Sequence, residues 1–71
     1  MERKIQIAYD KDADVVHITF ANVKAEAEEI DDGIFARYDP KTKELVGFTI
    51  TNFSRKFAHK PKEITIPISK V

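Results

Sequence analysis

Three aspartates at alternate positions, Asp10, Asp12 and Asp14, have the spacing that opens a calcium-binding loop. Such a loop needs Gly at its sixth position for the sharp turn and Glu at its twelfth as a bidentate ligand. Here those positions are Val15 and Ala21, so the motif fails and an Asp-rich turn is the ordinary reading. His17 and His59 are the only imidazoles, there is no Cys, and no His-x-x-x-His pair exists. Zinc chemistry is therefore not expected. Ser54 with His59 and an Asp could be imagined as a nucleophilic set. No Gly-x-Ser-x-Gly elbow supports it, and with only Gly33 and Gly47 no Gly-rich loop can cradle a phosphate. Glu26 and Glu28 would share one strand face as solvated carboxylates. The expectation is a chain that is not an enzyme, with no catalytic residue, no metal site and no cofactor.

One cluster is more suggestive. Arg55, Lys56, His59, Lys60 and Lys62 surround Phe53 and Phe57. Cations interleaved with aromatics can bind nucleic acid. The plainer reading is a short amphipathic helix whose two Phe pack on the body of the protein while the cations stay wet. Formal net charge is zero, which favours the plainer reading, because nonspecific nucleic-acid binding is driven by positive charge.

The elements that would position these residues follow from periodicity. Lys4 to Tyr9 alternates, with Ile5, Ile7 and Tyr9 on one side, and reads as a half-buried strand. After the Asp turn, Val15 to Phe20 is a second strand with Val16, Ile18 and Phe20 on one face, forming a hairpin with the first. Ala25 to Ile30 has helical composition. The Asp31-Asp32-Gly33 turn signal behind it favours an edge strand guarded by glutamates. Ile34 to Tyr38 is a strand, Asp39-Pro40 opens a turn, and Leu45 to Thr51 is another strand, in which Gly47 marks a bulge or a close approach by other backbone. Asn52 or Ser54 can cap a short helix to about Lys60, with Phe53 and Phe57 on one face and Pro61 ending it. Glu63 to Val71 returns to period two, with Ile64, Ile66 and Ile68 on one side, and Pro67 assigns it to an edge. The expected fold is α+β, mainly β: one domain over 1–71, an antiparallel meander of about five to six strands with one short helix near the C-terminus.

Several stretches resemble a family of small prokaryotic proteins, domain of unknown function 2283. Tyr9-Asp10-Lys11-Asp12-Ala13-Asp14-Val15-Val16-His17-Ile18 is similar to its opening signature, Glu28-Glu29-Ile30-Asp31-Asp32-Gly33-Ile34 to its middle hairpin, and Val46-Gly47-Phe48-Thr49-Ile50 with Asn52-Phe53-Ser54 to its later strand and small-residue-Ser segment. His17 stands where an aromatic is common, and Phe53 where a small residue is common. The resemblance covers roughly residues 5 to 56 and implies a β-meander with a terminal helix. It carries over no catalytic residue, because the family has none assigned. Some members are encoded beside toxin-like small proteins, which implies an antitoxin role.

Composition bounds what remains. Hydrophobic residues make up 42% and charged residues 34% of 71 residues, enough for one core without disulfides. Small unstapled domains gain stability by association, so a homodimer or a complex with another small protein is expected. No apolar run is long enough for a membrane span, and no signal-like block follows Met1-Glu2-Arg3-Lys4, so the expected location is the cytoplasm. Charge is segregated: residues 10–39 hold nine acids and three bases, residues 40–71 seven bases and two acids. The leading expectation is a noncatalytic protein-interaction module that pairs through the edge strand Ile64, Ile66, Ile68; deleting residues 63–71 is then expected to weaken association. The alternative is a nucleic-acid-binding protein using 53–62.

Overall fold

The computed structural model describes residues 4–58 and 63–67. Five strands and a helix follow in order: β1 (Gln6–Asp10), β2 (Val15–Thr19), β3 (Glu26–Asp31), β4 (Ile34–Tyr38), β5 (Leu45–Thr51) and α1 (Phe53–Ala58). All pairings are antiparallel in a single sheet, so the chain has the expected mainly-β architecture with a short helix after the last strand.

The strand order is β1-β2-β5-β4-β3. β5 sits between β2 and β4, and the connection after β2 carries the chain to the far edge before it returns by two hairpins. The order follows from burial. β5 is the strand whose Val46, Gly47, Phe48 and Ile50 are all buried, and it takes the centre. β3, with Glu26, Glu28 and Glu29 exposed, takes an edge, where its carboxylates stay solvated.

Pairing register sorts the side chains into rows. Tyr9, Val16, Ile50 and Ile34 lie side by side across four strands, and Ile7, Ile18, Phe48 and Ala36 form the next row on the same face. Val16, Ile34 and Ile50 form the centre of the core, and Ile18, Ile30, Phe53, Ile64 and Ile66 pack against it. Phe20 meets Phe48 edge-on at 5.8 Å. The opposite face is the more polar one: His17 and Phe35 flank Thr49, and Thr19 and Arg37 flank Gly47.

Turns are built from the residues the sequence pointed to. The Asp10 carboxylate accepts the amides of Asp12 and Ala13 at 3.1 and 3.2 Å. Gly33 takes φ +72° in the β3–β4 hairpin, a conformation that side chains resist, and β3 is bulged between Glu29 and Asp31. The Asp39 carboxylate accepts the Lys41 amide at 2.8 Å, and Asp39 and Glu44 close the β4–β5 turn through their main chains.

The tail corrects the expectation of a sixth strand. Residues 63–67 join no ladder; instead Ile64 and Ile66 lie half-buried on the core of the same chain. The alternating pattern is real, but what it satisfies is the apolar face left open by the sheet. Pro67 also removes a donor that a ladder would use. Ile68 and the rest of the tail lie outside the described residues.

Candidate functional site

The Asp14 carboxylate connects three elements. Asp14 ends the β1–β2 turn at φ 58°, which places its side chain over the start of α1. One carboxylate oxygen accepts the Ser54 hydroxyl at 2.7 Å. The Ser54 amide lies 3.1 and 3.2 Å from the two oxygens, and the Tyr9 hydroxyl donates at 2.9 Å. The Asp14 main-chain carbonyl accepts the Phe53 amide at 3.0 Å. A helix leaves its first amides without intrahelical partners, and here two of them are satisfied by a residue 40 positions earlier in the chain. Asn52, at φ 51°, supplies the bend from β5 into the helix while Asp14 supplies the cap.

Electrostatics follow from these bonds. The Ser54 hydroxyl, then the Tyr9 hydroxyl, the Ser54 amide and the Arg55 cation, hold the Asp14 carboxyl below its ordinary value of 3.8. Donation to Asp14 raises the Tyr9 phenol above its ordinary 10.0, so Tyr9 keeps the proton it donates. Because the Asp14 pKa is depressed on folding, its contribution is present above the ordinary carboxylate value and is lost as pH falls through the folded one. Asp14→Asn, which tolerates positive φ, should lower the melting temperature at neutral pH. The gap to the parent chain should close as pH falls below about 4. A gap that stays constant in thermal melts from pH 7 to pH 3 contradicts the clasp.

Ser54 and Asp14 thus serve as a cap. His17 lies on the other face of the sheet, where Nδ1 pairs with Thr49 Oγ1 at 3.1 Å. Of the basic cluster, Arg55 and Lys56 are described, whereas His59, Lys60 and Lys62 lie outside the described residues. Arg55 is exposed. The Lys56 ammonium donates to the Thr51 carbonyl. Phe53 stacks with Phe57 at 5.3 Å and meets Tyr9 at 5.9 Å, forming an aromatic line from the cap to the surface. Ile64 and Ile66 are spent on the core. Among the described residues no three His, Asp or Glu gather as a metal site, and no helix is long and apolar enough to cross a membrane.

Arg37 crosses the polar face. Its terminal nitrogen donates to the Ile18 carbonyl and to Thr19 Oγ1, each at 3.0 Å. It runs directly over Gly47, where a side chain would meet both the guanidinium and the Ile18 carbonyl. A shallow groove of about 340 Å³ lies at the other edge, lined by Glu26, Glu28, Tyr38, Pro40 and Lys43 among others.

The surface that reading the sequence missed is β1. Every residue of the strand is exposed, and its outer edge pairs with no described strand. Ile5 is 63% exposed, Ile7 72% and Tyr9 51%; Ile7 and Tyr9 lie on the face that elsewhere forms the core, and Ile5 continues their alternation. Their alternation announces a covered side. Phe53, Ile64 and Ile66 instead cover the row of Val16, Ile50 and Ile34, and among the described residues Ile5 and Ile7 are left exposed. Phe57, also exposed, continues this apolar strip beyond Tyr9 through Phe53.

No curated protein and no solved structure matches the chain. A family model described as "Protein of unknown function (DUF2283)" matches residues 6–54. The matched span runs from the first residue of β1 to Ser54, and so includes the whole sheet and both ends of the Asp14–Ser54 clasp. The chain belongs to the DUF2283 family of proteins of unknown function.

Proposed function

We propose that the chain is a noncatalytic protein-interaction module of the cytoplasm, and that its contact surface is the free edge of β1. The observation that supports this is the exposed apolar strip Ile5, Ile7 and Tyr9 beside a strand edge that is unpaired among the described residues. An open edge offers main-chain hydrogen bonds, and alternate side chains supply selectivity, the physical basis of recognition by strand addition. Leaving such a strip in water is unfavourable at roughly 25 cal/mol per Å² of apolar surface. An antitoxin-like role, in which the module holds another small protein, is the form that the family resemblance implies.

The nucleic-acid reading of 53–62 has less support in the geometry. Lys56 is engaged by the Thr51 carbonyl, Phe53 by Tyr9 and Phe57 by Phe53, which leaves Arg55 as the exposed cation of α1. The apolar strip carries the interaction reading without it.

Native mass spectrometry on the chain purified gently from its own cells tests the proposal. The expected result is an assembly, either with another small protein or with a second copy, that Ile7→Lys dissociates. A bare monomer at every loading overturns it.

A further inference from the structure

We propose that β1 pairs with β1 of a second copy of this chain in one register, antiparallel and centred on Ile7. The inference rests on the interaction-module reading and adds the partner and the alignment. In that register Ile7 lies opposite Ile7 of the second copy, Ile5 opposite its Tyr9, Gln6 opposite its Ala8, and Lys4 opposite its Asp10. Directly opposed residues in an antiparallel pair project to the same face. The exposed Ile7 and Tyr9 of both copies lie on the core-side face and, with β1 extended through Ile5 at the same alternation, form one continuous apolar strip. Both ends of the ladder carry an opposite-charge pair. Moving the centre by one residue to Ala8 keeps Ile7 opposite Tyr9 but sets Lys11 against Ile5 and Gln6 against Asp10, which takes Ile5 out of the apolar match and loses the charge match.

The other free edge does not compete. On the core-side face β3 presents Glu26 and Glu28, which lie across from Tyr38 and Ala36. Pairing β3 with itself would set like charges together. Pairing β1 with β3 of another copy would lay isoleucines against carboxylates, and would propagate as an open chain of subunits. A two-fold β1 pair closes after two copies and removes the exposed strip from both. Tyr9 enters the contact already held, its hydroxyl on Asp14 and its ring on Phe53, so little side-chain freedom remains to be lost there. A single ladder of this length is at the small end of stable interfaces, so assembly is expected to depend on protein concentration.

The test uses the full chain, which has no cysteine. Sedimentation equilibrium across a range of concentrations should show a monomer–dimer equilibrium. Ile7→Lys, which places two like charges at the two-fold axis, should raise the dissociation constant about tenfold or more. Ile7→Cys should oxidise rapidly to a covalent dimer, because directly opposed Cα atoms fall within disulfide range. Ala8→Cys, offset from its own counterpart by two residues, should oxidise much more slowly. Ile7 is the most exposed large hydrophobic side chain among the described residues, so these variants should fold, and matching far-UV circular dichroism confirms it. A monomer at all concentrations, or equal oxidation of the two cysteine variants, overturns the register. A chain that is monomeric alone but binds a different small protein through β1 overturns the second copy as partner and leaves the interaction module standing. A chain that binds neither overturns both.

Discussion

Replacing Ile50 with alanine should unfold a large share of the protein at 37 °C. Ile50 is 3% exposed at the middle of the central strand, directly opposite Val16 on one side and Ile34 on the other. Helix α1 and the tail close over this row through Phe53, Ile64 and Ile66. Truncation removes buried methyl groups and leaves a cavity beside Val16 and Ile34, at a cost of about 2–5 kcal/mol. A chain of 71 residues holds roughly 4–11 kcal/mol in total, so the loss is a large fraction of what there is. Urea unfolding followed by circular dichroism should show the midpoint falling with little change in slope. A loss below about 1 kcal/mol would mean that helix and tail do not rest on Ile50.

Gly47→Ala should be comparably severe for a different reason. The residue sits in β5 opposite Thr19 and Arg37, and a Cβ there runs into the Ile18 carbonyl and the Arg37 guanidinium, whose central carbon would be only 3.0 Å away. The guanidinium could swing aside, but only by giving up its bonds to the Ile18 carbonyl and Thr19 Oγ1. The carbonyl belongs to the neighbouring strand and cannot move without opening the β2–β5 ladder. Overpacking of this kind costs about 1–3 kcal/mol, and the lost hydrogen bonds add to it. The expected result is a melting temperature lower by about 10 °C or more. A variant that melts within a few degrees of the parent contradicts the close crossing.

Gly47 is also a place where the sequence could be read correctly. A glycine inside the alternation of Val46, Phe48 and Ile50 has few explanations, and close approach was one of them. β4 and β5 run over the expected residues because sharp turn signals, Asp32-Gly33 and Asp39-Pro40, bound them on a strict period of two. β3 is a strand despite its helical composition, since the hairpin at Gly33 and the edge position suit its glutamates. The strand order was not readable. Sequence proximity pairs β2 with β3, and only the competition of whole strands for the buried centre gives that place to β5. The Asp14–Ser54 clasp was hidden for a similar reason: three alternate aspartates look alike in the chain, and only the third meets a helix that begins some 40 positions later. The tail misled because an alternating apolar segment looks the same whether it joins a ladder or lies on an open apolar face. Of the candidate contact residues, Ile64 and Ile66 went to the core, while Ile5, Ile7 and Tyr9, expected to be half-buried, became the exposed surface.

The central claim is that the exposed edge of β1 is the contact surface between two copies of the chain. Its most direct test is the solution mass of the full chain, measured from low to high micromolar concentration beside that of Ile7→Lys. The account predicts that the parent chain moves from one copy toward two as concentration rises, while the variant remains a folded monomer throughout. Parent and variant tracing the same curve, whether both monomeric or both dimeric, would contradict it.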